Sequence, residues 1–392
     1  MVRAWEVFRV FLRLGLTSFG GPSAHIAYFR EEFVIRRKWL DEETFASIVA
    51  LCQFLPGPAS SQFGLAVGHM RAGVAGALAA WLGFTLPSAA LMIGFALGML
   101  HYAPQADPGW LQGLRVAVVV VVARAVWGMA RTLCPGRIHL TLAFLSAITV
   151  LAVNAAWTQV AVIAVGGAIG CLLFTRSIES GEKTLAVSEK GRLSWLWLCL
   201  FALLLFATPF VARLIRCAPL DFAYGFYRSG ALVFGGGHVV LPLLRDLVVP
   251  RGWMTDETFM AGYGAAQALP GPLFTIAAYL GTLSAGPVQG IGGGLLALFS
   301  IFLPGWLLVL GVLPHWRKRS QSRLARAALQ GANSSVVGLL VAALYHPVWT
   351  SGMLGVRHMM LGLSLFLLMA VWNFPPWAGV LMAAGMGALM LR

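Results

Sequence analysis

Two stretches of this chain interrupt long apolar segments in the same way: Gln53-Phe54-Leu55-Pro56-Gly57-Pro58 and Gln267-Ala268-Leu269-Pro270-Gly271-Pro272. Proline has no N–H to give and glycine loosens the backbone, so each stretch ends a helix. In hydrocarbon an unpaired backbone N–H or C=O is costly, and irregular backbone survives only where protein or a water-filled cavity encloses it. Hydrocarbon is the setting here. The 392 residues are 59% hydrophobic and 11% charged, against about 25% charged in soluble domains. Apolar runs recur along the whole chain, so a cleaved leader does not account for them. Arg3, Arg9 and Arg13 also interrupt the first run.

The two breaks belong to a duplication. Trp39-Leu40-Asp41-Glu42-Glu43-Thr44-Phe45 matches Trp253-Met254-Thr255-Asp256-Glu257-Thr258-Phe259 at the same offset as the breaks (253 − 39 = 214; 267 − 53 = 214). Phe19-Gly20-Gly21-Pro22 pairs with Phe234-Gly235-Gly236-Gly237 (234 − 19 = 215). Thr85-Leu86-Pro87 pairs with Phe302-Leu303-Pro304, and Leu111-Gln112-Gly113 with Leu329-Gln330-Gly331. Five matches in order make two homologous repeats, 1–175 and 221–392, with a loop and linker helix over 176–220. Each repeat has two broken segments followed by four apolar helices: 73–100, 110–132, 138–153 and 157–175, then 287–313, 323–345, 355–373 and 376–391. The expected fold is an all-α polytopic membrane protein.

Each repeat contributes an even number of crossings whether its broken segments cross or re-enter. The single unpaired run, 193–212, therefore inverts the second repeat relative to the first. Charge agrees with this. The loop after the first full helix carries Asp107 alone in one repeat, and Arg317, Lys318, Arg319, Arg323 and Arg326 in the other. Basic short loops stay cytoplasmic, and the loop 176–192 with Arg131 and Arg137 puts the N-terminus inside. Arg213 and Arg216 fall outside and run against the rule. The net charge of +14 is spread over loops, unlike the one-sided basic face of a nucleic-acid binder. The five cysteines are scattered, without metal-ligand spacing.

Gly/Pro-interrupted helices at matching places in inverted repeats point to a transporter's binding site. Pro58 and Pro272 suit the first position of a new helix, leaving donors at Ala59–Ser61 and Leu273–Thr275. Pro22 does the same for Ser23–His25, and after Gly235, Gly236 and Gly237 the donors begin at His238. Helix N-termini attract anions. Side chains near the breaks suit an oxyanion: Gln53 and Gln267 before each Pro-Gly-Pro, with Ser60, Ser61, Gln62 and Thr275 after. His25 and His238 follow the Phe-Gly-Gly breaks without aligning. Arg124 stands in the middle of an apolar helix, where an ionisable residue marks function and its fork fits a tetrahedral oxyanion. The substrate-binding set is thus Gly20, Gly21, Pro22, Ser23, His25, Gln53, Gly57, Pro58, Ser60, Ser61, Gln62, Arg124, Gly235, Gly236, Gly237, His238, Gln267, Gly271, Pro272 and Thr275. Lone histidines can equally be packed core groups, and isolated breaks can be simple kinks. No acidic residue occupies a helix centre, so a driving proton falls to His25 or His238, the alternatives being anion exchange or movement down the potential.

At these residues the chain resembles the chromate transporter family, in its long two-domain form. The resemblance rests on Phe-Gly-Gly-Pro-Ser-Ala-His at 19–25, the 39–45 segment, both Gln-x-Leu-Pro-Gly-Pro stretches and Phe-Gly-Gly-Gly-His at 234–238. It implies export of chromate from the bacterial cytoplasm across the inner membrane, with sulfate as a competing analogue and repeats of opposite orientation. Expected partners are chromate, sulfate, a coupling proton or counter-anion, the bilayer and a second copy of the chain; no cofactor, catalytic residue, metal or nucleic acid is expected. A sulfate or other oxyanion transporter and a passive anion channel are the competing readings, and an enzyme fits the sequence poorly.

Overall fold

The computed structural model describes residues 2–101, 109–153, 157–175, 194–234, 237–316 and 322–391. Gly235 and Gly236, Asp107, the 176–192 loop and Arg317–Arg319 lie outside the described residues, as do the side chains of Pro22 and Ser23. Among the described residues there are helices and turns only.

The first repeat opens with α1 (Val2–Thr17), a break at 18–20, and α2 (Gly21–Arg30), which continues into a π-helical turn to Arg36. Gly20 and Gly21 take φ of 98° and 78°, a left-handed backbone that favours glycine. After a loop come α3 (Glu42–Phe54), the Pro-Gly-Pro break and α4 (Ala59–His101). The long α4 is two limbs, because Ala72 and Gly73 leave helical geometry. A Cβ placed on Gly68 would lie 2.3 Å from the Gly76 carbonyl oxygen. In a straight helix these residues would stand about 12 Å apart, so limb 59–71 folds back on limb 74–101. The first repeat ends with α5 (Gly109–Leu133), α6 (Arg137–Ala152) and α7 (Thr158–Phe174).

A linker of α8 (Ser194–Phe206) and α9 (Thr208–Leu214), bent by 46°, leads to the second repeat. There α10 (Ala218–Ala231) precedes the second Phe-Gly-Gly break, α11 (Val240–Val248) follows it, and α12 (Asp256–Ala268) leads to the second Pro-Gly-Pro. Then come α13 (Ile276–Leu283) and α14 (Gly290–Val312), with Gly281 against Gly293 repeating the earlier fold-back. The chain closes with α15 (Arg323–Ala343), α16 (Val356–Ala370) and α17 (Pro376–Met390).

Two expectations need correction. The second-repeat breaks are each followed by a 3-10 turn, Gly237–Val239 and Leu273–Thr275, rather than directly by an α-helix. The Thr275 N–H is consequently bonded to the Pro272 carbonyl (3.1 Å) and is no free donor. Also, α6, α7, α16 and α17 have 15 to 17 residues, a rise of about 22–26 Å, short of the ~30 Å hydrocarbon core. They occur as consecutive pairs, so the even crossing count per repeat is unaffected.

The duplicated acidic motif is a capping device. Asp41 Oδ1 accepts from the Thr44 N–H (2.7 Å) at the start of α3, and Thr255 Oγ1 accepts from the Thr258 N–H (3.3 Å) at the start of α12. Glu42, Glu43, Asp256 and Glu257 occupy the first turns, where carboxylates favour the helix dipole. The Thr44 N–H holds the exposed Asp41 carboxyl below its ordinary range. Beside each cap lies a duplicated clasp. Arg37 stacks over Trp39 and pairs with Glu6 of α1 (3.4 Å); Arg251 stacks over Trp253 and pairs with Asp221 of α10 (3.0 Å).

The repeats interlock reciprocally. Gly109 and Gly113 of α5 sit against Ala383 and Gly387 of α17, while Ala327 and Gly331 of α15 sit against Gly166 and Gly170 of α7. Small residues allow such close crossings where no hydrophobic force drives helices together. Each Pro-Gly-Pro also docks on the opposite repeat. The Gly57 N–H donates to the Val233 carbonyl and the Gly271 N–H to the Ser18 carbonyl, both at 2.8 Å. These are equivalent bonds (271 − 57 = 214; 233 − 18 = 215). Gly57 faces Gly305 of α14, and Gly271 faces Phe84 and Ser88 of α4.

Candidate functional site

A cavity of about 520 Å³ forms where the first Phe-Gly-Gly break meets the second Pro-Gly-Pro break. The Gly271–Ser18 bond ties the two breaks together. Gly20, Gly21, Arg124, His238, Gln267 and Gly271 all line it. These come from both repeats and from four separate stretches of sequence.

Arg124 reaches the cavity from α5, whose preceding turns (Val116–Val122) are buried valine and alanine. Its Nη1 is buried and has no hydrogen-bond partner among the described residues. The Nε2 of Gln267 is in the same condition. Two donors, one charged, are thus left open beside one cavity, and buried donors are ordinarily paired. His238 is anchored by Tyr263, whose hydroxyl lies 2.8 Å from Nδ1, with the Gln267 amide beside the same hydroxyl. Gly20 and Gly21 bring bare backbone to the wall, since no Cβ shields it.

Other sequence-derived candidates are placed elsewhere. His25 is buried in the first repeat, its Nδ1 2.9 Å from Ser60 Oγ and its Nε2 3.2 Å from the Ser18 carbonyl. It packs edge-on to Phe84, a satisfied core histidine. Gln62 donates to the Pro56 carbonyl (2.8 Å) and Thr275 Oγ1 to the Pro272 carbonyl (2.9 Å), each closing its own break. Ser61 is buried away from the cavity, and Gln53 is exposed outside it, unlike its repeat mate Gln267. Gly57, Pro58 and Pro272 are buried at the crossings, and Gly237 precedes His238 without lining the cavity.

Sequence reading missed one wall. Pro375, Pro376 and Trp377, at the turn from α16 to α17, close one side, with the Trp377 ring 5.3 Å from Phe19. Asn373-Phe374-Pro375-Pro376 is itself a break, with Asn373 at φ 52°, and its prolines were the available signal. Met369 and Tyr28 complete the apolar lining.

Chemically, the cavity offers a guanidinium, an amide, an imidazole and glycine backbone, with no carboxylate among the described residues of its wall. Such a set takes an anion.

The chromate transporter family profile matches residues 5–171 and 220–388, one repeat each. A chromate transport protein of Pseudomonas aeruginosa is 30% identical over 342 residues, covering 86% of this chain and 79% of that protein. One from Cupriavidus metallidurans is 24% identical over 86% of this chain and 81% of its own length. A probable chromate transport protein of Synechococcus elongatus is 25% identical over 86% and 83%. No solved structure matches. With both repeats matched and nearly all of the chain covered, this protein belongs to the chromate transporter family.

Proposed function

We propose that this chain is a secondary transporter exporting chromate across the bacterial inner membrane, and so giving chromate resistance. The observation that carries the reading is the pair of open donors, Arg124 Nη1 and Gln267 Nε2, beside a cavity built from both repeats whose described lining holds no carboxylate. A tetrahedral dianion would lie between the Arg124 fork and the Gln267 amide. His238, with Tyr263 donating to Nδ1, would present its Nε2–H to a third oxygen. The Gly20–Gly21 backbone admits close approach. Repeats 1–175 and 221–392, inverted by the linker within 176–220, supply two related halves for alternating access.

Sulfate has the same shape and charge, and no side chain in the cavity separates the two anions. The choice of chromate leans on the relatives' names. The test is chromate flux into inverted vesicles under an imposed pH gradient or potential, with sulfate as competitor. Saturable accumulation above leak, competed by sulfate, is expected. Flux that never exceeds passive leak refutes the transporter and leaves a channel; accumulation of sulfate alone reassigns the substrate.

A further inference from the structure

The cavity holding Arg124 has a repeat-related counterpart of opposite character. Val121, Arg124 and Ala125 line the first; Leu339, Ala342 and Ala343 line the second, which encloses about 300 Å³ (339 − 121 = 218; 342 − 124 = 218). Four elements correspond, with α15, α11, α6 and α7 replacing α5, α2, α16 and α17, whereas the Pro-Gly-Pro wall of the first cavity gives way to Tyr345, His346 and Pro347 in the second. Where the first carries arginine, the second carries alanine, and its charge comes instead from Arg245 and Asp246.

These two residues have different roles. The Arg245 fork is committed to Asp256, with both bonds at 2.8 Å. This pair repeats Arg30–Glu42 of the first half. Asp246 has no such bidentate partner. It lies 3.7 Å from Arg245 Nη1 and accepts from Gln159 Nε2 of α7 at 2.5 Å, a bond between the repeats. Gln159 is 6% exposed and its Oε1 has no partner, so the cavity wall holds an open acceptor beside the carboxylate. Arg228 of α10 acts on Asp246 through space. His346 lines the same cavity, with Nδ1 3.3 Å from Thr350 Oγ1. The equivalent of Asp246 in the first repeat, Glu31 (246 − 31 = 215), is exposed, so the duplication does not repeat this carboxylate site. A metal ion would require several oxygens and no adjacent cation; a proton requires one carboxylate.

We propose that Asp246 is the proton-binding site whose loading in the second cavity drives anion movement through the first. This rests on the transport reading above. Protonation removes the charge that Gln159 stabilises and loosens the bond tying α7 to α11, which couples the proton to relative movement of the repeats.

The test uses the full-length protein in liposomes with two assays: chromate exchange without a gradient, and chromate accumulation driven by a pH gradient. For Asp246→Asn, exchange should continue at the wild-type rate. Driven accumulation should fall to the level without a gradient, and a lumenal pH dye should see no chromate-linked proton movement. Driven accumulation retained in this variant overturns the assignment, as does loss of exchange in a folded variant. If Asp246→Asn does not fold, Gln159→Leu reads the same site. Losing a donor to the carboxylate favours its protonated form, so the pH midpoint of driven transport should rise by about one unit. An unmoved midpoint overturns the assignment. Wild-type protein without chromate exchange would refute the transport reading itself.

Discussion

Replacing Arg124 with methionine should move stability and anion affinity in opposite directions. Arg124 lies nine residues before the end of α5 (133 − 124), about 14 Å along the helix axis, with Nη1 buried and unpartnered. A buried donor without a partner costs about 1–3 kcal/mol. Methionine keeps most of the length, has no donor and adapts to irregular space. The anion-free protein should therefore unfold at the same temperature as the parent or higher. Binding goes the other way. A hydrogen bond from a charged donor contributes about 1.5–3 kcal/mol, so anion affinity should fall about 10–150-fold. The assay is thermal unfolding of the purified protein across a sulfate or chromate titration, where the anion-dependent rise in midpoint reports affinity. A structural arginine gives the reverse pattern: a lower midpoint without anion and an unchanged rise with it. That result would refute the assignment of Arg124 to the anion site.

Gly57→Ala and Gly271→Ala should each destabilise by about 1–3 kcal/mol, because their φ values are 124° and 93°. Gly271→Ala should be the worse, since its Cβ presses on the Phe84 carbonyl as well as Ser88, whereas that of Gly57 meets the movable end of Gln62; equal midpoints with the parent would count against the docking of the breaks. For the inverted arrangement, Asp107→Cys and Ser320→Cys should react with an impermeant thiol reagent from opposite faces of the membrane. Labelling from the same face would remove the inversion.

What the sequence disclosed was set by symmetry, and what it concealed was set by the departure from symmetry. Offsets of 214 and 215 revealed both breaks, the capped acidic motif and the linker. Arg124 stood out because few forces place a charge in a valine run. Repeat equivalence says which residues correspond, but not which member of a pair faces a cavity. Gln53 and Gln267 align, yet only Gln267 lines the site. His25 and His238 looked alike beside their breaks, and only the fold shows Ser60 and the Ser18 carbonyl occupying both nitrogens of His25. The Glu6–Arg37–Trp39 clasp and its copy were within reach of the same offsets (221 − 6 = 215; 251 − 37 = 214). Asp246 was not. It stands at the end of an apolar segment, away from any helix centre, and its contact with Gln159 crosses between repeats.

The reciprocal bonds at the two breaks also set a schedule for biosynthesis. The Gly57 N–H finds its acceptor only when Val233 has been made, 176 residues later (233 − 57). At about 5–20 residues per second, that is a wait of about 10–35 s. During that interval the first half sits in the membrane with an open donor at its break, while its Ser18 carbonyl has His25 Nε2 but not yet the Gly271 N–H. The nascent half must shelter the Gly57 donor with water, lipid headgroups or the insertion machinery. The first repeat is thus laid down as an unfinished template, and the second completes it on arrival.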